Sequence, residues 1–553
     1  MTRLSRPIFT GNRDGLSPRA LLQSGRPHAI FLHGAPNRSV HIIRLRTLIL
    51  PEGFSDTTRR ASRVARYIRG IALWCGAIGL LSHGQEHAVQ PPNLPPFFSA
   101  GGAWGDTSDP PKKTDLSVTD FGAVADGKTL CDDTFRKAIQ AGAGKVIGIP
   151  AGTFLLADRL LIDEANTTLQ GAARDATVLH FTRSLGDIDP SPTQNAGGTP
   201  TTSWSWSGGL ITLGSPTKTI GKRVTVSDGA RRGDLRITVS DAKHFSAGRK
   251  VRLELAEHPK STALIRALYR DQPGDISGIR PGSFSVTQPL TIVAITNNVL
   301  TLDRPLRFDV RPAWRTTLVG VDSPGKNIAL SDLTIAFPPT PYQGHFKEAG
   351  FNGVQIYGMN NRVSLVRVRN ADSGFFVRGQ EHRLLDITLD SDRTPHGSKN
   401  TGHHGFSLTG QDCLLARFQI NTRFYHDLTV SRGSVGNVFS EGRGVDLSID
   451  HHRYAPYENL FTQLHAGAGK RVWKSGGGKG RGAHAGSGAT FWNIMSDAPF
   501  SLPPSSFAPP GCFFVGLHLK PGQAAQAPEG WHVDPVSPDM LRPANLYKAQ
   551  RTR

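Results

Sequence analysis

In the second half of the chain, short apolar runs recur between turn-forming clusters at nearly regular distances. They are LSDLTIAF at 330, VSLVRVRN at 363, LLDITLDS at 384, LLARFQIN at 414, NVFSEGRG at 437, NLFTQLHA at 459 and TFWNIMSD at 490, at intervals of 33, 21, 30, 23, 22 and 31 residues. Runs this short, bounded by turn residues, predict strands rather than helices. Repetition at roughly 20–50 residues marks a solenoid, with the longer intervals carrying loops on one face. Asn327, Asn437 and Asn459 stand at or just before the start of a run, as expected of amides that stack and bond along a solenoid axis.

Upstream, the chain from Val118 reads VTDFGAVADGKTLCDDTFRKAIQAGAGKVIGIPAGTFLL. Val118 to Phe121 is expected as a short strand entering a turn at Gly122, with a second turn at Ala125-Asp126-Gly127. Thr129 to Asp133 supply oxygens able to cap a helix. Phe135, Ala138 and Ile139 give that helix one apolar face, and Gly142 and Gly144 end it. Lys145 to Ile149 and Thr153 to Leu156 then read as strands around a Pro150-Ala151-Gly152 turn. DFGA at 120–123, DG at 126–127, DDT at 132–134 and IPAGTF at 149–154 resemble the opening of the pectate-lyase-like superfamily, and TTLQGAARDATVLHF at 167–181 continues the likeness. The resemblance implies a right-handed parallel β-helix with an N-terminal helical cap. It specifies a fold shared by glycan hydrolases, lyases and phage tail-spikes, and leaves the chemistry open. Asp126, Asp132 and Asp133 are accordingly read as turn and capping residues.

The expected organisation follows. Residues 115–181 form the cap and first coils, 182–320 an inserted antiparallel β module with a turn at Asn297-Asn298, 321–500 the rungs, and 501–553 a C-terminal cap ending in a closing helix. Before them, IALWCGAIGLL at 71–81 follows Arg59, Arg60, Arg63, Arg66 and Arg69 with no acid between, the layout of a secretory signal peptide over 64–90. Residues 1–63 are then a basic tail, or upstream sequence before a start downstream of Met1, and 91–114 a Pro/Gly linker. Secretion, or delivery to a periplasm, is the expected destination. No span long enough to cross a membrane follows.

Charge narrows the partner. The net charge is +20; residues 1–95 hold 13 Arg, no Lys and 4 acids, leaving 51 basic and 40 acidic residues for the rest. A surplus of that size suits a polyanion, and without a nucleic-acid-binding motif an acidic polysaccharide is the expected partner rather than nucleic acid. With Cys75 in the export segment, Cys131, Cys413 and Cys512 make neither a disulfide framework nor a zinc pattern.

Histidine marks the candidate site. GHHG at 402–405, YHD at 425–427, DHHR at 450–453, LHAGAGKR at 464–471 and AHAG at 483–486 crowd into the rungs. Equivalent positions on successive coils lie about 5 Å apart, so Tyr425-His426-Asp427 and Asp450-His451-His452-Arg453 are expected to share one face. Three chemistries stay open, with β-elimination favoured because the cluster offers Arg and His more generously than paired acids; a non-catalytic glycan-binding surface protein is the alternative of another class. In β-elimination of a uronate polymer, Arg453 or Arg471 would neutralise the sugar carboxylate, His426 or His452 would act as base and Tyr425 as acid, with Asp427 or Asp450 orienting a histidine or holding Ca²⁺. In hydrolysis, Asp427, Asp446 and Asp450 are the carboxylates to pair. A metal site of His and Asp is disfavoured because the histidine pairs are adjacent and strand neighbours point to opposite faces. His404, His465 and Trp314 are further substrate-binding candidates, as are Trp204 and Trp206. Of the polygalacturonase signature (N-T-D, D-D, G-H-G, R-x-K) only GHHG is reminiscent, and the W-x-D-H and R-x-P-x-x-R signatures of classical pectate lyases are absent. SGGGKGRGAHAGSG at 475–488 lacks the phosphate-binding pattern and is expected as a loop over the groove.

Overall fold

The computed structural model describes residues 95–551 except 103–104, 108–111, 196, 228 and 398. The expected basic tail and export segment lie outside the described residues.

The chain winds as a right-handed parallel β-helix. One seven-stranded sheet stacks Leu160–Ile162, Ile211–Leu213, Asn352–Ile356, Ser373–Val377, Gly402–Leu408, Phe424–Val430 and Ile449–His451, each parallel to the next. The remaining coil strands form an eighteen-stranded sheet that bends at a corner in every coil. The corner residues Asp332, Leu365, Asp386, Arg417, Glu441, Gln463 and Asn493 all have φ between 53° and 60°. This left-handed conformation is costly outside glycine, and its recurrence, once per coil, produces the spacing seen in the apolar runs.

Stacking holds the coils together. Inside, Phe439, Phe461, Phe491 and Phe514 lie ring on ring at 4.5, 5.6 and 5.0 Å. At the turns, Asn437 Nδ2 donates to Asn459 Oδ1 at 3.0 Å, and a second ladder runs from Asn360 to Asn327 to Asn166 at 2.7 and 3.0 Å. Asn437 and Asn459 are fully buried, and a buried amide left unpaired would cost about 1–3 kcal/mol, so this first ladder also fixes the register.

The N-terminal helix, Asp132–Ala141, caps the first coil through Phe135, which meets Phe154 edge-on at 5.5 Å. Two local expectations are corrected. Val118–Phe121 is a 3-10 turn rather than a strand, because Ser117 and Asp120 close a capping box around it. The helix N-cap is Cys131 with no side-chain cap bond; Asp132 Oδ1 instead accepts Ala157 N–H and Asp158 N–H, tying the helix to the next turn.

The inserted module is a six-stranded antiparallel sheet in the order Lys218–Thr225, Trp314–Asp322, Lys250–Glu257, Ser285–Thr296, Val299–Leu302, Arg236–Thr238. Its hairpin closes at Asn297-Asn298, where Thr296 pairs with Val299. The six-stranded sheet begins only at Lys218: Ile211–Leu213 belongs to the parallel sheet, and Pro192–Gln194 with Pro200–Thr202 forms a separate antiparallel pair. Its core includes Val435, Ala455, Tyr457 and Ala483 from the coils, so the module packs directly on the solenoid.

The helix Leu546–Arg551 does not close the last coil. Leu546 and Tyr547 lie against Leu385, Leu414, Val438 and Leu460, together with Phe98 and Ala100, so it covers the side of four coils. The three cysteines within the coils are free and buried.

Candidate functional site

The site lies on the outer face of the seven-stranded sheet, where three rungs contribute in turn. Gly402–Leu408 carries His403 and His404, Phe424–Val430 carries Tyr425, His426 and Asp427, and Ile449–His451 carries Asp450, with His452 just beyond. Simple alternation would send His403 and His404 to opposite faces. Instead their rings stack at 4.1 Å, and His404 stacks on His426 at 5.1 Å.

The cause is a break in strand pairing repeated at one position of each rung. Pairing skips from Asn352 to Val354, from Ser373 to Phe375, from His404 to Phe406 and from His426 to Leu428. Glycines 353, 374 and 405 occupy three of the skipped positions; a Cβ on any of them would sit 2.5 Å from the carbonyl oxygen of the next rung. Close approach is what glycine permits there. The bend sends His404 and His426 outward, while Phe406 and Leu428, two residues on, return to the core. Past the bend, alternation resumes: His451 packs inward against Phe461, Phe491 and Phe507, and burial pushes its pKa down to about 3.

Asp450 organises the lower half of the cluster. Its side chain is fully buried, and Oδ2 lies 2.9 Å from His452 Nδ1 and 3.1 Å from His426 Nδ1. Thr429 Oγ1 donates to the same oxygen at 3.2 Å, and Gly476 N–H to Oδ1 at 2.7 Å. Burial works against the carboxylate charge, but the two histidines more than offset it and hold Asp450 well below the usual range. For His452 the balance runs the same way: burial opposes its charge, Asp450 outweighs burial, and its pKa is raised. His452 is 32% exposed while His426 is 8% exposed, so His452 is the member that can meet a substrate. A Cβ on Gly476 would come within 2.4 Å of the His452 ring, so the glycine-rich loop lies directly on the site. That loop is held from behind by the module, through Gly278 N–H to Gly480 O and Gly482 N–H to Asp275 O.

The upper half comes from the segment between the strands Ala329–Ala336 and Asn352–Ile356, which carries no recognisable sequence motif. His345 is sandwiched by Phe346 at 3.8 Å and Tyr425 at 4.6 Å, and its Nε2 is 2.9 Å from His403 Nε2. Glu348 accepts from Tyr342 Oη at 2.6 Å and Ser205 Oγ at 2.7 Å and lies 3.3 Å from His403 Nδ1. Burial raises Glu348, lowers His345 to about 4, and sets His403 and His404 well below their ordinary value, keeping the imidazoles neutral. Arg393 pins the segment, donating to Thr340 O at 2.7 Å and pairing with buried Asp372 at 2.8 Å. The available signal was the 33-residue interval between 330 and 363, against 21 to 23 for the short coils.

Several sequence candidates sit elsewhere or do other work. Arg471 is buried: it donates to Asp427 Oδ2 at 2.6 Å, Phe424 O at 2.9 Å and Asp446 O at 2.7 Å. It is therefore a structural clamp, not a free cation. Asp427 is 1% exposed and also accepts from Phe424 N, Ser448 N and Ser448 Oγ. Arg453 is spent on Gly482 O and His484 Nε2. His465 lies on the other sheet, 3.7 Å from Asp497. Trp314 is buried in the module core, whereas Trp206 reaches the cluster through Phe346 at 6.2 Å. Asp427 and Asp450 have their oxygens taken up by donors, so neither offers the open oxygen set that Ca²⁺ requires. The cations that border the cluster are Lys474, 5.5 Å over the Tyr425 ring, and Arg481, 5.0 Å over the Tyr454 ring and felt electrostatically at His452.

Coils, cap and opening segment together define a pectate-lyase-like parallel β-helix. Residues 116–233 match the family model described as rhamnogalacturonase A/epimerase, pectate lyase-like. Among solved structures, the tailspike protein gp49 from Pseudomonas phage LKA1 is similar at 11% identity and a TM-score of 0.41, covering 72% of this chain and 69% of that one. The A-module of mannuronan C-5 epimerase AlgE6 from Azotobacter vinelandii is similar at 11% identity and a TM-score of 0.30, covering 72% and 80%. An exopolygalacturonase from Thermotoga maritima is similar at 9% identity and a TM-score of 0.28, covering 74% and 68%. No curated protein sequence matches the chain. No helix among the described residues is long and apolar enough to cross a membrane.

Proposed function

We propose that this chain is an exported enzyme that cleaves an acidic, uronate-containing polysaccharide by β-elimination at the His345–His452 cluster. The observation that carries the reading is His452, partly exposed beside Lys474 and Arg481 and backed by the buried Asp450 carboxylate. Asp450 accepts a hydrogen bond from Nδ1–H of His452, which fixes the tautomer and leaves Nε2 as the base. That base removes the proton on the carbon next to the sugar carboxylate; the freed electron pair forms the C=C bond as the adjacent C–O bond to the next sugar breaks. Tyr425 returns a proton to the departing oxygen. Lys474 and Arg481 stabilise the charge that builds on the carboxylate.

Hydrolysis by two carboxylates is the weaker reading, because Asp427, Asp446 and Asp450 are each engaged by buried donors. The uronate substrate is supported by the family description, by the cations at the rim and by the basic surplus of the chain.

The test is near-ultraviolet absorbance while the protein is incubated with a panel of polyuronates. An unsaturated uronate product is expected, with the rate falling about 10²–10⁴-fold in Asp450→Asn and His452→Ala. New reducing ends without that absorbance would overturn elimination in favour of hydrolysis.

A further inference from the structure

His345, His403 and His426 each present a ring nitrogen such that the three atoms lie within 4.8 Å of one another. The three come from a loop and two different rungs, so the opposite facing of adjacent strand residues does not separate them. The Nδ1 atoms add a second, independent observation. His403 Nδ1 faces Glu348 Oε1 at 3.3 Å, and His426 Nδ1 faces Asp450 Oδ2 at 3.1 Å. Both Nδ1 atoms are buried and make no well-aligned hydrogen bond in this arrangement.

A carboxylate behind Nδ1 is the arrangement found behind metal-bound histidine, where it fixes the tautomer and leaves Nε2 to ligate. Both carboxylates are themselves held: Glu348 by Tyr342, Ser205 and Phe346 N–H, Asp450 by Thr429 and Gly476 N–H. A second grouping, His426, Asp450 and His452, is also compact. Asp450 there already serves two backbone or hydroxyl donors and His452, so it fits the role of orienting carboxylate better than that of ligand.

We propose that His345, His403 and His426 bind a divalent transition-metal ion of the zinc class, oriented by Glu348 and Asp450. Three nitrogen ligands with the remaining positions open is the pattern of a catalytic rather than a structural metal. His345, the half-buried ligand, sits on the solvent side, where an incoming sugar carboxylate could complete the shell. This last role, carboxylate neutralisation by the ion, rests on the elimination reading; binding of the ion does not.

The experiment is titration of chelator-treated full-length protein with Co²⁺, followed by its visible absorption, and with Zn²⁺ by calorimetry. One equivalent is expected per chain. His345→Ala and His403→Ala should abolish the band, Glu348→Gln should weaken binding about 10–100-fold, and His465→Ala should leave it unchanged. His345→Ala changes a half-exposed loop residue, so circular dichroism will separate lost binding from lost folding. Absence of a stoichiometric site, or a site indifferent to His345 and His403, overturns the proposal. A metal site in a protein that yields no unsaturated product would keep this inference and remove the elimination reading. Full elimination by metal-free protein would remove only the carboxylate role.

Discussion

Arg471 offers the sharpest separation between a catalytic and a structural role. Replacing it with Met keeps most of the side-chain volume and deletes the guanidinium. Asp427, 1% exposed, then loses its guanidinium partner at 2.6 Å, and the Phe424 and Asp446 carbonyls lose donors at 2.9 and 2.7 Å. Breaking a buried pair by removing one member costs about 3–5 kcal/mol, because the remaining charge stays buried. Asp427 retains Phe424 N–H and the Ser448 N–H and Oγ–H, which argues for the lower end, about 3 kcal/mol. The assay is urea unfolding of wild type, Arg471→Met and the double variant Arg471→Met/Asp427→Asn, followed by far-ultraviolet circular dichroism. The single variant should show a clearly lowered midpoint, and the double variant should recover part of it by removing the stranded charge. A single variant as stable as wild type but without activity would refute the clamp and return Arg471 to the substrate.

Other consequences are equally open to measurement. Lys474→Gln and Arg481→Gln should each raise KM for a polyuronate while leaving the unfolding free energy unchanged within about 0.5 kcal/mol; a stability loss with unchanged kinetics would count against their place at the rim. Asn437→Ala removes bonds to Gly410 O, Asn459 Oδ1 and Cys413 N in a fully buried ladder, and should cost about 2–4 kcal/mol in urea unfolding. His382 is fully buried, accepts Asn361 N–H at Nδ1 and contacts Arg378 O through Nε2, and burial lowers its pKa to about 4. The unfolded chain therefore binds more protons below about pH 6.5, so this stability is complete above that pH and is lost towards pH 4, by about 3 kcal/mol. His382→Gln should flatten that part of the pH–stability curve; an identical slope in both proteins would contradict it.

The regular apolar runs and the DFGA to IPAGTF segment carried the solenoid, because coil spacing and cap chemistry are local and repeat along the chain. The rung arithmetic also put Tyr425-His426 and Asp450-His452 on neighbouring coils of one face, although the register pairs Asp450 with Thr429 and His426 reaches it diagonally. What remained hidden depended on contacts between distant segments. Arg471 looked like a free cation until Asp427 was seen behind it, and Trp314 looked like a sugar platform until the module core enclosed it. His345 and Glu348 carry no motif, and only the folding of their loop across two rungs brings them to His403. The outward turn of His404 and His426 depended on glycines 353, 374 and 405 lying over one another. That stack is written in no single stretch of sequence, because steric approach between rungs exists only once the helix has wound.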